Sequence, residues 1–428
     1  MKAAIIGLGV EGKKALASFS KYKWEIYASD LNNNIDISDF SIPFYQADLN
    51  QNENNFSLFA DSFEIDIGFS NQVKIDSSDV VAISPSMWGT KIADTYRDEG
   101  KLLCDVLNKH RNIFTIGITG TNGKTTTVHM LKEILESYGK KVLVGGNAGG
   151  GFNGYYDLIL KANYGNYDVL IVEVCDMTLD FCRYFFNFDL IGLTNIGTDH
   201  MDVHKTIANY KNKLVDFFKN KEIVLYHNQD FQADFKDSAS KTIPFYEYQH
   251  DLSAYAKFNK LNAGLAYAIS SYLKIPKEES QDSLYNFKPV SGRMNVYKLN
   301  NASIYVGKTD NADAVRSVLD ERRFSAIFIG TPRVNEYHRL AILDEVVKHN
   351  PGVIVIFPGL DDTIDMCFER LLDLRYEGKI EIANTLDDII FFVAEFSHQN
   401  AIFIGGNGQD IIIEIQERLK LLSDKCNM

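Results

Sequence analysis

The sequence predicts an α/β protein with three domains, each built on a mostly parallel sheet. Short apolar runs of strand length alternate with helix-period segments along the chain, which is typical of parallel sheets covered by helices. Two glycine-rich turns, Gly7–Gly12 and Gly117–Thr126, each follow an apolar run and precede a helix. The 428 residues allow two to four domains at roughly 150 residues each. We expect a Rossmann-like domain over 1–100, a central mostly parallel sheet over 101–290 and a Rossmann-like α/β domain over 291–428.

The composition of the chain argues against nucleic-acid and membrane partners. A net charge of −13 argues against a nucleic-acid partner held by bulk electrostatics. Five irregularly spaced cysteines fit a reducing compartment and not a disulfide framework. No apolar run approaches the roughly 18 residues of a membrane span, and no cleavable signal peptide is visible. We expect a cytoplasmic protein, without membrane or nucleic-acid partners, that acts on small molecules and is a monomer.

The first domain opens with a βαβ pattern. The strand Lys2–Ile6, the turn Gly7–Gly12, a helix and the strand Trp24–Ala28 lead to Asp30. NAD enzymes and folds that hold other diphosphates share this fingerprint, so we interpret the turn as a diphosphate seat, or as a turn that the glycines merely tighten. A later strand, Val80–Ser86, ends in serines at the ligand-binding edge of such a sheet. The residues expected at this ligand are Gly9, Val10, Asp30 and Ser84.

The central domain carries the most specific motif. The strand Ile113–Ile118 leads through Gly117–Thr126 into the helix Thr127–Glu136, which is the context that a phosphate loop requires. Glycines let backbone N–H groups approach phosphate oxygens, and the helix N-terminus favours negative charge. Lys124 supplies a mobile charge, and the Thr125 hydroxyl is a Mg²⁺ ligand type. The nucleotide-binding residues predicted here are Gly120, Thr121, Asn122, Gly123, Lys124, Thr125 and Thr126.

Polar residues follow the next strands of this domain. Glu173 ends the strand Tyr167–Glu173, and His200 follows the strand Asp189–Asn195. Because the carboxyl ends of parallel strands share one sheet edge, both are candidate metal ligands beside the phosphate loop. The alternatives are an exposed strand end for Glu173 and a solvated loop for His200. The strand Glu222–Tyr226 is expected to close this sheet.

The third domain is predicted from Gly292 onward by five apolar runs. The expected strands are Ile304–Val306, Ala326–Ile329, Val353–Phe357, Ile380–Ala383 and Ala401–Ile404. Arg333 could bind a substrate carboxylate through two parallel hydrogen bonds, or it could be a surface arginine.

These motifs together resemble the ATP-dependent Mur ligases over essentially the whole chain. The extended loop Thr119–Thr126 is far more specific than a generic phosphate loop, and the other family motifs follow in the family's order. Those motifs are Gly146-Asn147, Glu173, Asn195 with His200–Asp202, Asn259 with Asn262, and Ser291–Arg293. The turn Gly7–Gly12 with Asp30 and Ile83–Pro85 most resembles the D-glutamate-adding members.

The resemblance implies a mechanism with ATP and Mg²⁺. ATP phosphorylates the carboxylate of a UDP-MurNAc-L-alanine acceptor, and the amine of D-glutamate then attacks the acyl phosphate, as in peptidoglycan precursor synthesis. Thr125 and Glu173 are implied to hold one Mg²⁺ and His200 a second. Lys213, with Lys211 as an alternative, is implied to be carbamylated. The resemblance also assigns Asn262 and Arg293 to the nucleotide, and Asn147 and Lys308 to the substrates.

Some positions depart from the family pattern. Val174–Asp176 stands where two small hydroxyl residues are usual, and the His200-to-Lys213 spacing is a residue or two short. The turn before Lys308 lacks the aspartate that is usual in the family, which Asp310 could replace. The segments Gly330–Arg333 and Gly405–Asp410 do not match the family's usual amino-acid pocket motifs. These departures leave a different acceptor open, such as a pseudomurein peptide or a nickel tetrapyrrole undergoing ring closure. They also leave open that the protein is a nucleotide-binding regulatory homologue without turnover. The glycine turn of the first domain, taken alone, would also fit an NAD oxidoreductase.

Overall fold

The computed structural model describes residues 1–35, 40, 45–48, 55–227, 233–254, 257–398 and 401–426. These residues form three six-stranded sheets and two compact units. Unit 1 comprises Met1–Gly120, Leu135–Leu193 and Asn212–Pro244, and unit 2 comprises Thr121–Ile134, Thr194–Lys211 and Phe245–Met428. The α/β class predicted from the alternation of strands and helices is confirmed.

The first sheet belongs to unit 1. Its strands are β1 (Lys2–Ile6), β2 (Glu25–Asp30), β3 (Tyr45–Asp48), β4 (Phe56–Ala60), β5 (Phe63–Ile67) and β6 (Val80–Ile83). Their order is β3-β4-β5-β2-β1-β6; β5, β2, β1 and β6 run parallel, while β3, β4 and β5 form an antiparallel meander. The helices of this region are α1 (Val10–Ser20), α2 (Gln72–Asp76), α3 (Lys91–Asp98) and α4 (Leu103–Val106).

The second sheet carries the phosphate-loop strand in the middle. Its strands are β7 (Phe114–Thr119), β8 (Val142–Gly146), β9 (Val169–Glu173), β10 (Leu190–Leu193), β11 (Glu222–Tyr226) and β12 (Lys241–Phe245). The order is β12-β11-β10-β7-β9-β8, and β7 pairs in parallel with both β9 and β10. Nearly all of β7, β9 and β10 is buried, as expected for strands covered on both faces.

The helices that follow these strands differ widely in length. They are α5 (Lys124–Ser137), α6 (Gly154–Tyr164), α7 (Leu179–Phe185), α8 (Met201–His204), α9 (Ile207–Phe218), α10 (Lys257–Tyr272) and α11 (Lys277–Asn286). Within the described ranges, no helix is both long and apolar enough to cross a membrane.

The third sheet belongs to unit 2. Its strands are β13 (Asn295–Leu299), β14 (Ala302–Val306), β15 (Ala326–Gly330), β16 (Val353–Phe357), β17 (Lys379–Ile382) and β18 (Ala401–Gly406). The order is β13-β14-β18-β15-β16-β17, parallel except for the β13–β14 hairpin. Apolar side chains fill both faces of this sheet. Its helices are α12 (Ala312–Leu319), α13 (Ala341–His349), α14 (Ile364–Asp373), α15 (Leu386–Phe396) and α16 (Gln409–Cys426).

The structure adds strands that the sequence analysis did not predict. β3, β4 and β5 extend the first sheet, β12 extends the second beyond Glu222–Tyr226, and β13 adds an edge to the third. The β4–β5 turn Asp61-Ser62 and the β13–β14 turn Asn300-Asn301 lack the glycine that marks the strongest hairpin signals. Because β12 lies beyond β11 in the second sheet, the expectation that Glu222–Tyr226 closes this sheet was wrong.

Candidate active site

The phosphate loop joins β7 to α5 as the sequence predicts. Gly123 has φ +85°, and a Cβ there would lie 2.1 Å from Asn262 Oδ1, so both the backbone conformation and the space require glycine. Lys124 opens α5, and its Nζ donates to the Thr121 carbonyl at 2.7 Å. The loop thus has the geometry of a backbone cradle that begins a helix.

Asn195, just after β10, holds the phosphate loop through its backbone. Its Oδ1 accepts from Asn122 N at 3.0 Å, and its Nδ2 donates to Asn122 O at 2.9 Å. Thr121 N donates to the Asn195 carbonyl at 3.0 Å, and Gly197 N donates to Thr121 Oγ1 at 2.8 Å. Since these contacts fix both polar backbone groups of Asn122, the loop has a defined shape.

The predicted nucleotide residues outside the loop lie against it. Arg293 donates from Nη2 to Thr125 Oγ1 at 2.7 Å. Asn262 is buried on α10, donates to Asn259 Oδ1 at 3.1 Å and packs on Gly123. Unit 2 therefore brings these side chains to the loop, as the nucleotide assignment requires.

Glu173 is the last residue of β9 in unit 1. It is only 1% exposed, which rules out a solvent-exposed strand end. Asn147 Nδ2 donates to Glu173 Oε1 at 3.0 Å, and a Cβ on Gly150 would lie 2.1 Å from the same oxygen. Residue Glu173 pairs with Ile118 in β7, one residue before that strand ends. The loop after β8 therefore shapes a tight seat for this carboxylate.

His200 precedes α8 in a left-handed conformation with φ +50°. Its Nε2 lies 3.8 Å from Asp199 Oδ2, and its backbone N donates to Asp199 Oδ1 at 3.0 Å. The side chain is 28% exposed. Lys213 lies on the exposed side of α9, whereas Lys211 is half-buried.

The glycine turn of the first domain, Gly7–Gly12, forms a hydrogen bond with the carboxylate of Asp30. Asp30 accepts from Leu8 N at 2.6 Å and from Asn32 N at 2.8 Å, so this carboxylate braces the turn. Among the residues that the structure describes, no heavy atom beyond the chain neighbours lies within 4 Å of a Cβ built on Gly9, and Val10 is 52% exposed. At the end of β6, the hydroxyls of Ser84 and Ser86 lie 2.9 Å apart.

The turn after β14 contains the acid that the sequence analysis left open. Asp310 forms an ion pair with Lys308 at 3.0 Å and another with Arg339 at 3.5 Å. Burial alone would raise the pKa of Asp310, but the charges of Lys308 and Arg339 outweigh it and hold the pKa well below its usual range. Arg333 is half exposed and pairs with Glu336 at 3.3 Å.

A cavity of about 180 Å³ opens beside this turn. It lies within unit 2, between the loop before α8 and the start of α13. Its lining residues are Thr198, Met201, Asn311, Ala312, His338, Arg339 and Ala341.

Three functional candidates escaped the sequence analysis. Glu11 is half-buried, and accepts from Ala148 N at 2.8 Å and from Tyr155 N at 3.2 Å; a carboxylate inside a glycine turn was a visible signal. Arg339 is buried beside Asp310, and Asn311 is buried beside the phosphate loop, but no sequence pattern marks them.

Comparisons with known proteins agree with this geometry. Residues 118–305 match the Mur ligase middle domain. A UDP-N-acetylmuramoyl-L-alanyl-D-glutamate–2,6-diaminopimelate ligase of Wolinella succinogenes is 28% identical over 294 residues, covering 64% of this chain and 62% of the relative. A UDP-N-acetylmuramoylalanine–D-glutamate ligase of Thermoanaerobacter pseudethanolicus is 26% identical, covering 91% of this chain and 89% of the relative.

A solved structure of a pseudomurein peptide ligase type C from Methanothermus fervidus has the same fold. It superposes with a TM-score of 0.57 at 17% identity, covering 98% of this chain and 99% of that one. The chain spans less than two thirds of the length of several curated relatives that it matches, including 62% of the Wolinella ligase. The region that begins in the phosphate-loop strand is therefore similar to the Mur ligase middle domain, and the chain is similar in sequence to several Mur ligases.

Proposed function

We propose that this protein is an ATP-dependent ligase that joins a carboxylate to an amine and releases ADP and phosphate. The observation that carries the proposal is the phosphate loop between β7 and α5, with Lys124 at its helix start and Arg293 and Asn262 against it. The Mur ligase middle-domain match begins at residue 118 in β7, at the strand that leads into this loop. Sequence and geometry therefore support the same chemistry.

The chain's own groups suit phosphoryl transfer to a carboxylate. That step brings two anions together, so positive charge and aimed N–H donors are required. We assign the loop N–H groups and Lys124 to the transferring phosphoryl group, and Asn262 and Arg293 to the nucleotide. The acceptor carboxylate becomes an acyl phosphate, and the amine then displaces phosphate to form the amide.

The donor set is suitable for magnesium. The Thr125 hydroxyl and the Glu173 carboxylate are oxygen donors of the kind that Mg²⁺ prefers, and Glu173 is buried in a seat that positions it. Bound Mg²⁺ would neutralise phosphate charge. We assign Thr125 and Glu173 to one ion and His200 to a second, and Lys211 or Lys213 to the carbamate.

We further propose UDP-MurNAc-L-alanine as the acceptor and D-glutamate as the amine. The exposed helix start at Gly9 and Val10 and the serine at Ser84 support a UDP-sugar at the first sheet. A relative that matches 91% of the chain is named for this reaction. On this proposal, Asn147, Lys308 and Arg333 contact the substrates.

A different amine is the second candidate. The third-domain motifs depart from the D-glutamate pattern, and a 28% identical relative is named for 2,6-diaminopimelate addition. The test measures phosphate release by the full chain with ATP and Mg²⁺, each acceptor in turn, and D-glutamate or diaminopimelate. Release that needs both UDP-MurNAc-L-alanine and D-glutamate supports the first candidate, whereas release only with the dipeptide acceptor and diaminopimelate supports the second.

The same assay separates a regulatory homologue. ATP binding without phosphate release, under every acceptor and amine combination including pseudomurein peptides and nickel tetrapyrroles, would contradict ligase function altogether.

A further inference from the structure

Two asparagine side chains form a reciprocal pair between the phosphate loop and the turn after β14. Asn311 Nδ2 donates to Asn122 Oδ1 at 2.9 Å, and Asn122 Nδ2 donates to Asn311 Oδ1 at 3.2 Å. Both residues belong to unit 2, and Asn311 is 4% exposed. Two complementary hydrogen bonds fix the relative orientation of the two amides, which one bond would leave free to rotate.

Both asparagines of this pair form further hydrogen bonds. The backbone N and O of Asn122 are both hydrogen-bonded to the side chain of Asn195. Asn311 is the N-cap of α12, where its Oδ1 also accepts from Ala314 N at 2.9 Å. The pair therefore connects the loop after β10, the phosphate loop and α12 through three asparagines.

A second contact from α12 reaches the loop that leads to His200. Asp313 Oδ2 accepts from Thr198 N at 2.6 Å and from Thr198 Oγ1 at 2.8 Å. Arg316 binds Asp313 at 2.9 Å and grips both oxygens of Glu345 on α13 at 3.0 Å. Arg316 thus links the first turn of α12 to α13, while this turn contacts the phosphate loop and the loop that leads to His200.

The turn held in this way carries charged groups. Lys308 and Asp310 lie within three residues of Asn311 and form an ion pair. A displacement of Asn311 would move this ion pair relative to the phosphate loop. Misplacing catalytic groups by about 1 Å can reduce a rate by about a hundredfold.

We propose that Asn122 and Asn311 are positioning residues for the ligase reaction: their paired amides hold the Lys308 turn against the phosphate loop, so that amine attack is aligned with phosphoryl transfer. The inference rests on the proposed function. Neither residue acts on the substrates in this role, and each acts through the turn or loop that it holds.

The substitution Asn311→Asp separates this role from helix capping. Aspartate is as good an N-cap as asparagine, so the bond from Ala314 N is kept. It replaces the donor Nδ2 by an oxygen that faces Asn122 Oδ1, which removes one of the two hydrogen bonds of the pair and sets two acceptors together. Asn166→Asp is the matched control, because Asn166 is exposed and uses its Oδ1 as an acceptor for Lys109 Nζ at 3.0 Å.

The experiment measures amide formation, ADP affinity, melting temperature and hydrogen exchange of the peptide 307–311 in full-length protein with Mg·ADP. For N311D we expect kcat for amide formation to fall at least tenfold. Its ADP affinity should stay within threefold, and exchange in 307–311 should be faster with exchange in 315–319 unchanged. The double variant N122A/N311D should be no slower than N122A, because the two substitutions remove one interaction.

Wild-type kcat and wild-type exchange in N311D would overturn the inference, as would losses in N311D and N122A that simply add. Failure of the wild type to form any amide would refute the proposed function instead. In that case the exchange of 307–311 still decides whether the amide pair holds the turn.

Discussion

Lys124 combines the clearest sequence signal with a defined place in the structure. It begins α5, and its ammonium lies at the phosphate loop, 2.7 Å from the Thr121 carbonyl. On the proposed assignment, replacing it by alanine removes a fixed cation from the transferring phosphoryl group. We expect K124A to lose more than 90% of turnover, a barrier increase above about 1.4 kcal/mol. Phosphate release is the measurement, and K277A, at an exposed lysine of unit 2, is the control.

A K124A variant that keeps more than about a tenth of the wild-type rate would contradict this assignment. Nucleotide binding by K124A decides whether the lysine serves binding or the chemical step.

His200 has a different expected signature, because we assign it to acceptor activation and not to the nucleotide. H200A should reduce kcat at least tenfold, while the ADP dissociation constant stays within threefold. Titration calorimetry and phosphate release give the two numbers, and H398A, at an exposed histidine, serves as the control. Parallel losses of affinity and rate would show that His200 does not hold the second cation.

At the scale of an element, the short helical turn after β8 forms the seat of Glu173. A Cβ on Gly150 would lie 2.1 Å from Glu173 Oε1, whereas on the adjacent Gly149 the nearest atom is Asn147 Oδ1 at 3.4 Å. G150A should therefore displace the carboxylate, at a cost of about 1–3 kcal/mol for overpacking, and G149A should not. The predicted consequence is that G150A needs at least fivefold more Mg²⁺ for half-maximal turnover.

Magnesium titrations of both variants make this comparison, with melting temperatures to show that they fold. Equal magnesium requirements for G150A and wild type would remove Glu173 from the metal site.

Helix α1 and the loop after β8 meet at Glu11. Burial raises its pKa from 4.5 to about 7, although hydrogen bonds from Ala148 N and Tyr155 N and the charge of Lys14 oppose the shift. The folded protein therefore holds this proton more tightly than the unfolded chain does. The stabilisation is complete below about pH 4.5 and is lost as pH rises to about 7.

We expect the stability of wild type relative to E11Q to decrease by up to about 3 kcal/mol between pH 4.5 and pH 8. Urea unfolding at several pH values measures the difference, and E25Q, at an exposed glutamate of β2, controls for the general effect of pH. A pH-independent difference would mean that Glu11 titrates normally in the folded protein.

On the scale of the whole molecule, the sequence predicted what depends on local pattern. Apolar runs located most strands of the parallel core but missed β5, and the phosphate loop and the strand end at Glu173 followed from motif and topology. The strands β4, β5 and β13 were missed because the hairpin turns beside them, Asp61-Ser62 and Asn300-Asn301, lack glycine. Asn311 and Arg339 were missed because their partners lie tens to hundreds of residues away in sequence, which no periodicity reports. Glu11 was missed although its place inside the glycine turn was visible in the sequence.

The central claim concerns coupling between a nucleotide, a carboxylate and an amine, and ADP production by the full chain measures it most directly. With ATP, Mg²⁺ and UDP-MurNAc-L-alanine, we predict that adding D-glutamate, or another amino acid in its place, raises ADP formation at least tenfold and yields one amide per ADP. ADP formation that no acceptor and amine combination increases would contradict the account.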